Sequence, residues 1–281
     1  MCCGPDDVPQ VMTDSELAAS RERCRRQRLR ILEISQKLSA LHVAPAFSCL
    51  ELVDACYQHL MRRQGAAPDT FILSKGHGAM AQYVALETLG TLSRGDVDAI
   101  CQKNGRLGGH PDYGLPGIEM SSGSLGHGLP IALGMARADL ERKQDRVIFL
   151  VMSDGEFMEG SVWEALLVAP SLRLLNLVVL VDHNRSISRG EIEVNHPNFM
   201  PLAPKIRSFG WEVEEADGHD VGEIVRKVSS RRRKQPFALV GHTVKGKGVS
   251  YMENKPIWAY RSPNPQEYQQ ALAELGLKGA A

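Results

Sequence analysis

The chain has 281 residues with 43% apolar side chains, and its 33 basic and 33 acidic residues give a formal net charge of zero. This length and composition suit a globular protein with one large core, and the neutral charge excludes an overall field that would draw the chain to nucleic acid or to an anionic membrane. We therefore expect one domain over residues 13–275, with short tails at 1–12 and 276–281.

The cysteines and the N-terminal residues bear on the cellular compartment. All six cysteines lie in the first 101 residues, without the paired CxxC spacing of a zinc site. No apolar run approaches the length of a membrane span, and residues 1–7 (MCCGPDD) lack the basic and apolar regions of a signal peptide. We expect a cytoplasmic protein with reduced thiols and no membrane association.

The first predicted element is a basic helix. Thr13 and Glu16 have the spacing of a capping box, so a helix is expected from there to about residue 40. Six arginines between positions 21 and 30 make it strongly basic. A nucleic-acid arm is one interpretation, but no aromatic residues are interleaved and the charge wraps around the helix. We therefore favour a solvated or interface-lining helix and expect no nucleic acid partner.

Two histidines lie in early segments that interrupt the predicted helices. His42 falls in a non-helical link within residues 39–51, before a second helix over about 49–64. Residues 71–78 (FILSKGHG) fit a buried strand that ends in a turn with glycines on both sides of His77. Glycines let the backbone approach a ligand closely, although a turn histidine without a partner is the structural alternative.

Two glycine-rich segments follow. Residues 105–116 (GRLGGHPDYGLP) are too rich in Gly and Pro for a helix or strand, which predicts an ordered loop over a site that contains His110. Residues 121–135 supply several glycines where a helix begins, and such a terminus offers free N–H groups to an anion. The candidates in this second segment are Gly126, His127 and Gly128.

The central part of the chain predicts a βαβ unit. Residues 147–152 and 177–181 are apolar runs typical of buried parallel strands, and residues 159–175 have the length and apolar spacing of a crossover helix. Asp154 follows the first strand and Asn184 the second, at the edge where open α/β sheets bind ligands. Either motif alone is commonly a turn or a loop cap. Together their hard oxygen ligands suit Mg²⁺ and predict a metal–diphosphate site.

The rest of the chain continues the α/β alternation. Residues 206–217 and 236–243 are predicted as two further strands, with a helix over 221–234 between them that ends in four consecutive basic residues. Cations at a helix C-terminus usually only stabilise the helix. Residues 243–254 (TVKGKGVSYMEN) then form a glycine-containing segment with two lysines, Lys245 and Lys247.

These motifs resemble a known family. Asp154-Gly155 followed by Asn184 resembles the signature of the thiamin-diphosphate fold. The Glu-Gly pair at Glu159, the Glu-Ala pair at Glu164 and Asp182-x-Asn184 resemble transketolases in particular. The likeness extends over roughly residues 15–275. It implies an α/β thiamin-diphosphate-binding fold with a mostly parallel central sheet and helices on both faces, and thiamin diphosphate with Mg²⁺ (or Ca²⁺ or Mn²⁺) as cofactors.

The resemblance also implies a set of cofactor-binding residues. Asp154, Asn184 and the backbone carbonyl of Ser186 correspond to the metal ligands of the family. Gly155 would lie beneath the diphosphate, and His77 would bind it. The remaining predicted cofactor contacts are Gly126, His127, Gly128, Glu159 and Lys245. Residues 243–248 resemble the Thr-x-Lys-Gly-x-Gly stretch that lies over the cofactor in transketolases, which implies that Lys245 or Lys247 faces an anion.

Four residues are predicted to be catalytic on the same basis. His42 corresponds to the family histidine that faces the thiazolium and substrate, and His110 to the one that contacts the aminopyrimidine and the donor sugar; His77 is the third. In the family, Glu159 and Glu164 lie at a dimer interface and meet a glutamate of the partner polypeptide that protonates the aminopyrimidine. The alternative to this interface role is that Glu159 and Glu164 are exposed carboxylates that stabilise a helix N-terminus.

The sequence departs from the family pattern at several positions. The residues around His42 differ from the usual Gly-His-Pro-Gly-Gly-Ser segment, His127 stands where the family has glutamine, and Ser153 replaces a glycine. The largest departure is Ala259, in Trp-Ala-Tyr, where small-subunit transketolases read Trp-His-Gly. That histidine contacts the diphosphate and a substrate hydroxyl, so the substrate range is expected to differ.

The resemblance finally implies a partner. A full-length transketolase is more than twice this long and carries a pyrimidine-binding domain with an activating glutamate. We therefore expect the N-terminal subunit of a split transketolase, in an α2β2 assembly, that transfers a two-carbon ketol unit from a ketose (phosphate) to an aldose. The alternatives are another thiamin-dependent enzyme, such as a deoxyxylulose-phosphate synthase, a 2-oxoacid decarboxylating component or a specialised secondary-metabolite transketolase, and a non-catalytic cofactor-binding partner.

Overall fold

The structure, a computed structural model, describes residues 10–38, 40–188 and 190–276. In chain order the strands are β1 (Thr70–Leu73), β2 (Ile148–Ser153), β3 (Leu177–His183), β4 (Ser186–Ile187), β5 (Gly190–Glu191), β6 (Glu212–Asp217) and β7 (Phe237–His242). Five of them form one parallel sheet in the order β1-β2-β3-β7-β6, and β4 pairs with β5 as a short antiparallel ribbon.

The helices connect these strands. They are α1 (Asp14–Ser35), α2 (Val43–Ala55), α3 (Ala79–Thr88), α4 (Arg94–Asp98), α5 (Gly128–Glu141), α6 (Gly160–Ser171), α7 (Ile192–Asn195), α8 (Leu202–Ser208), α9 (Val221–Ser229) and α10 (Pro265–Glu274). A π-helical turn, Cys56–Leu60, extends α2, and 3₁₀ turns cover Gly76–Gly78, Asp154–Met158 and Pro256–Tyr260.

Helices cover both faces of the sheet. Phe149 and Val151 of β2 pack in a core layer with α1, α2, α3 and α9, whereas Ile148 and Leu150 pack in the opposite layer with α5, α6 and α8. This alternation follows from the two-residue period of a strand. Because both faces are covered, β2 and β3 are buried along their whole lengths. The predicted α/β architecture is therefore confirmed.

The basic helix α1 begins as predicted and ends earlier. Its capping box at Thr13 is present, and the helix stops at Ser35 rather than near residue 40. Three of its arginines form ion pairs with carboxylates of other helices: Arg23 with Asp54, Arg28 with Glu51, and Arg30 with Glu87 and Asp98. These cations attach α1 to α2, α3 and α4.

The prediction for the second helix was wrong at its start. The helix begins at Val43 rather than near residue 49, and His42 is its N-cap. Pro45 lies in the first turn, where its missing N–H is not needed for an intrahelical bond. The non-helical link is correspondingly short, and His42 is fixed at the end of a buried helix.

The prediction of one strand over residues 206–217 was also wrong. Leu202, Ala203 and Ile206 share the buried face of α8, and the chain then turns at Gly210 (φ +93°) before β6. Glycine adopts this backbone region without steric strain. Helix α9 ends at Ser229, so the basic residues 231–234 lie on the connection to β7 instead of in its last turn.

The remaining expectations concern the tails and the cysteines. Residues 1–9 and 277–281, which include most of both predicted tails together with Cys2 and Cys3, lie outside the described residues. Cys24, Cys49 and Cys56 are buried free thiols, and Cys101 is an exposed one. Across the described ranges, none of the helices combines the length and apolar character needed to cross a bilayer.

Candidate active site

A cavity of about 240 Å³ opens at the carboxyl ends of the strands of the sheet. This is the edge at which parallel α/β sheets bind ligands. The cavity brings together most of the residues that the sequence predicts for the site. They are His42, His77, His110, Gly155, Asn184, Ser186 and Lys245, joined by Ser153 and Ala259.

Asp154 is fully buried beside this cavity, at the end of β2. Its Oδ1 accepts a hydrogen bond from the N–H of Gly155 at 2.8 Å, and its Oδ2 accepts one from the N–H of Arg185 at 2.6 Å. The same Oδ2 lies 2.9 Å from His183 Nδ1. Burial raises the pKa of Asp154, and His183 opposes the increase only in part. The carboxylate therefore lacks a full counter-charge within the described residues.

Asn184 follows β3 and completes this side of the cavity. Its Oδ1 accepts a hydrogen bond from the N–H of Ser186 at 2.9 Å, and its Nδ2 donates to Ser48 Oγ at 2.9 Å. Among the described residues there is no cluster of three or more His, Cys, Asp and Glu side chains suited to a metal ion. A cation here would depend on one carboxylate, one amide oxygen and a backbone carbonyl, a set of hard oxygen ligands that fits Mg²⁺.

A second fully buried carboxylate, Asp182, lies two residues before Asn184 and has a complete set of partners. It forms an ion pair with the fully buried Lys75, and it accepts hydrogen bonds from Thr243 Oγ1 and, at 2.7 Å, from Ser48 Oγ. Burial alone would raise the pKa of Asp182, but Lys75 and these donors lower it. Burial alone would lower the pKa of Lys75, but Asp182 raises it. The sequence motif Asp182-x-Asn184 includes the carboxylate, but nothing in the sequence predicts its pairing with Lys75.

Lys245 presents an ammonium group to the cavity, and no carboxylate of residues 10–38, 40–188 or 190–276 pairs with it. Its side chain is buried, and its only polar contact among the described residues is Ser186 Oγ at 3.4 Å. Burial, together with the charge of Lys75, lowers the pKa of Lys245 to about 8. His77 lines the same cavity and is neutral, because burial and Lys75 hold its pKa well below the usual value. A buried, unpaired cation of this kind fits an anionic ligand such as a diphosphate.

Three histidines, His42, His77 and His110, lie close together in the lining of the cavity. The ring centroid of His42 lies 6.1 Å from that of His77 and 5.6 Å from that of His110. His42 Nδ1 is hydrogen-bonded to the carbonyl oxygen of Ala259, and because a carbonyl only accepts, Nδ1 carries the proton. Burial lowers the pKa of His42, which leaves Nε2 as an acceptor in the neutral ring. The ring of Tyr260 covers His42 at 4.6 Å.

A buried carboxylate that the sequence prediction missed, Glu156, connects the glycine-rich segment 121–135 to the ends of β1 and β2. Glu156 accepts hydrogen bonds from the N–H of Gly126 at 3.1 Å, from the N–H of Ser153 at 2.9 Å and from Ser74 Oγ. A Cβ on Gly128 would lie 2.2 Å from Ser74 Oγ, so only glycine fits at that helix start. Glu156 follows Asp154 by two positions, and its place in a strand-end turn is the signal that marks it.

Besides Asp154, four predicted cofactor contacts do not line the cavity, namely Gly126, His127, Gly128 and Glu159. Glu159 is the N-cap of α6 and His127 the N-cap of α5, and both side chains are exposed. They lie on adjoining helix ends, because a Cβ on Gly126 would meet the Cβ of Glu159 at 2.5 Å. Their proposed contacts with the cofactor therefore remain predictions that involve the surface beside the cavity.

Comparison with known proteins identifies the family. Residues 25–260 match the family model described as transketolase, thiamine diphosphate binding domain. The chain is 37% identical over 257 residues to one subunit of an apulose-4-phosphate transketolase from Phocaeicola vulgatus, covering 89% of this chain and 91% of that protein. It is 35% identical over 257 residues to a 6-deoxy-6-sulfo-D-fructose transketolase subunit from a Clostridium species, covering 89% and 93%.

Solved structures share the fold. The transketolase of Campylobacter jejuni superimposes with a TM-score of 0.84 at 22% identity, over 94% of this chain and 43% of that one. The transketolase of Leishmania mexicana gives a TM-score of 0.82 at 24% identity, over 92% and 41%. The chain thus spans less than half the length of these solved transketolases and almost the whole length of the two relatives described as subunits. The resemblance drawn from the sequence is confirmed, and the chain belongs to the transketolase family as a thiamine diphosphate-binding domain.

Proposed function

We propose that this chain is the N-terminal subunit of a two-chain transketolase that uses thiamine diphosphate and Mg²⁺, or Ca²⁺ or Mn²⁺ in its place. It would transfer a two-carbon ketol unit from a ketose, in free or phosphorylated form, to an aldose acceptor. A cytoplasmic location and an α2β2 assembly belong to the same proposal.

One observation carries this proposal. Asp154 is a buried carboxylate without a full counter-charge among the described residues, and its neighbours Ser153 and Gly155 line the cavity. Lys245 is a buried ammonium that lines the same cavity without a carboxylate partner among those residues. A divalent cation would neutralise the first charge and a diphosphate the second. A metal-bound diphosphate supplies both groups at once, which explains why neither charge is paired within the described residues.

The chain's own residues have distinct parts in such a site. Asp154, Asn184 and the carbonyl of Ser186 would hold the metal, and Lys245 with His77 would hold the diphosphate. Bound thiamine diphosphate supplies a carbon nucleophile for breaking and forming bonds next to a carbonyl group. The neutral Nε2 of His42 is free to accept a proton from a substrate hydroxyl, because Nδ1 is committed to Ala259.

A partner subunit is part of the proposal for two reasons. The relatives whose length this chain matches are described as subunits, and the solved transketolases are more than twice as long. In addition, α6, whose N-cap is Glu159, exposes apolar side chains at Leu167 and Val168. Exposed apolar side chains on a helix fit an interface with another chain.

The test is a donor screen with the reconstituted protein. The chain would be purified with the product of the neighbouring reading frame, provided that this product carries a pyrimidine-binding domain. Calorimetry would then measure the Mg²⁺-dependent binding of thiamine diphosphate. Ketose donors, including apulose 4-phosphate and 6-deoxy-6-sulfo-D-fructose because of the relatives' names, would be compared with pyruvate. We expect cofactor binding and ketol transfer from a ketose.

The other outcomes separate the alternatives. Turnover of pyruvate without any ketose activity would identify a different thiamin-dependent enzyme. Tight cofactor binding with no turnover of any donor would favour a non-catalytic partner. Absence of Mg²⁺-dependent cofactor binding in the complex would contradict the proposal as a whole.

A further inference from the structure

Hydrogen bonds to its backbone hold the segment that carries Lys245, residues 243–248. The N–H of Gly246 donates to the carbonyl of Ala44 at 3.0 Å, and the N–H of Val244 donates to Nε2 of His219 at 2.8 Å. A third contact runs from Nε of Arg28 to the carbonyl of Lys247 at 3.0 Å. Two of these three contacts come from side chains that do not line the cavity.

The contact with Val244 determines the protonation of His219. Because a backbone N–H is always a donor, Nε2 of His219 must provide a lone pair, so the ring proton is on Nδ1. That Nδ1 lies 2.8 Å from Glu51 Oε2 and donates to it. His219 therefore joins a backbone N–H of the Lys245 segment to a buried carboxylate.

Glu51 is a strong anchor for this histidine. Its carboxylate accepts two hydrogen bonds from Arg28, at 2.6 and 2.9 Å, in addition to the one from His219. Burial alone would raise the pKa of Glu51, but Arg28 and His219 lower it to about 2, so it is ionised at neutral pH. A bidentate arginine pair holds a carboxylate in one orientation.

The backbone next to His219 is equally fixed. Gly218 donates from its N–H to the carbonyl of His242 at 2.8 Å, and a Cβ at Gly218 would lie 2.3 Å from Thr243 Cγ2. Only glycine allows this close approach between the turn after β6 and the end of β7. The imidazole consequently occupies a defined place relative to the start of the Lys245 segment.

We propose that His219, oriented by Glu51 and Arg28, is a positioning residue that holds the Lys245 ammonium in the cavity for the cofactor diphosphate. This inference rests on the proposed function, because it takes the anion to be that of thiamine diphosphate. A buried cation without a counter-charge favours any movement that returns it to water. Hydrogen bonds to the backbone of its segment oppose that movement and keep the site preformed before the anion binds.

Two substitutions at position 219 separate this role from a general packing role. His219→Gln keeps an acceptor at the distance of Nε2 and can still accept from Val244. His219→Asn keeps a donor at the distance of Nδ1 for Glu51 but does not reach Val244. Both replacement side chains are neutral and leave the ion pair between Arg28 and Glu51 in place. We therefore expect both variants to fold, and urea unfolding of each would verify this.

The measurement is the affinity of the reconstituted two-chain complex for thiamine diphosphate at saturating Mg²⁺, by calorimetry. We expect His219→Asn to weaken binding roughly 10-fold, at the lower end of the effect of losing an outer hydrogen bond at a bound metal site. His219→Gln should restore affinity to within about 3-fold of the unsubstituted complex, a difference of less than one tenfold step. At saturating cofactor, kcat should be the same in both variants.

A double-substitution cycle with Lys245→Met tests whether the effect acts through Lys245. If it does, His219→Asn should cause no further loss once Lys245 is replaced. Equal affinities of the Asn and Gln variants, or fully additive losses with Lys245→Met, would overturn the inference. If His219→Asn does not fold, Arg28→Lys takes its place in the cycle, since lysine retains the charge opposite Glu51 and loses the bond to Lys247.

Failure of this inference is distinguishable from failure of the proposed function. If the unsubstituted complex does not bind thiamine diphosphate, the proposed function fails first. If it binds the cofactor and the cycle is additive, only the role of His219 is rejected.

Discussion

Two buried carboxylates at the ends of neighbouring strands, Asp182 and Asp154, differ in whether a cation pairs with them. Asp182 pairs with the fully buried Lys75, which lowers its pKa. Asp154, one strand away and equally buried, has only a histidine and backbone N–H groups, and its pKa is raised. The register of the sheet sets Ser153 beside Asp182, so the two carboxylates occupy almost equivalent places in the fold.

The two lysines show the same contrast. Lys75 has the carboxylate of Asp182, whereas Lys245 has no carboxylate partner among the described residues and a pKa lowered to about 8. One ion pair is thus complete within the chain and contributes to its folding. The charges of Asp154 and Lys245 instead fit ligands that are not part of the chain, a metal ion and a diphosphate. Similar burial therefore does not imply a similar role, and the presence of a partner is what distinguishes them.

The largest effect expected from this contrast is that of Lys75→Met. The substitution leaves the Asp182 carboxylate buried without a cation, which should lower the free energy of unfolding by about 3–5 kcal/mol, as for other broken buried pairs. Urea denaturation of the chain measures it. Adding Asp182→Asn should recover much of the loss, because the unpaired charge is then removed. A loss below about 1 kcal/mol, the range of exposed pairs, would show that the pair is not structural.

The sequence predicted the parts of the site that follow from strand and turn patterns. Asp154 and Asn184 were found because apolar runs mark β2 and β3, and the ends of parallel strands meet at one edge of a sheet. His77 and Lys245 were found through their neighbouring glycines and the family resemblance. Each of these signals is a short local pattern, and the metal site follows from combining the two patterns at Asp154 and Asn184.

The parts that were missed depend on contacts between distant segments. Lys75 and Asp182 are 107 positions apart, and Glu51 and His219 are 168 apart, so no local pattern links either pair. The sequence prediction starts α2 too late because the link predicted within residues 39–51 includes Pro45. Proline is nevertheless well accommodated in a first helical turn. The contrast between a charge paired internally and one left unpaired is therefore available only from the three-dimensional structure.

The second prediction concerns the unpaired carboxylate. Asp154→Asn should weaken Mg²⁺-dependent binding of thiamine diphosphate at least about 100-fold, more than the loss of an outer hydrogen bond, because a neutral amide is a poor replacement for an anionic ligand. In the metal-free chain, the unfolding free energy should change by about 1 kcal/mol or less. One hydrogen bond is lost there, but a desolvated charge is removed as well.

Calorimetry on the two-chain complex and urea denaturation of the chain measure these two quantities. Asn184→Ala, which removes the neighbouring amide oxygen and leaves the Asp154 charge in place, is the matched variant and should also reduce cofactor affinity. Cofactor binding that is indifferent to Asp154→Asn would remove the metal site from the proposal. A large loss of stability in the metal-free chain would instead class Asp154 with Asp182.

The smallest of the three effects is expected at Lys245, and it is the direct counterpart of the substitution at Lys75. Lys245→Met should weaken binding of thiamine diphosphate about 10-fold, a difference of roughly 1.4 kcal/mol, because one of several diphosphate contacts is lost. The same substitution should leave the unfolding free energy unchanged or slightly higher, since it replaces a desolvated and unpaired cation with an apolar side chain of similar length. The pair of variants thus shares one chemical change and differs only in whether the lysine has a carboxylate. If Lys245→Met lowers the free energy of unfolding as much as Lys75→Met does, then Lys245 stabilises the fold itself. The distinction between a buried charge paired within the chain and one that binds a ligand would then fail at this position.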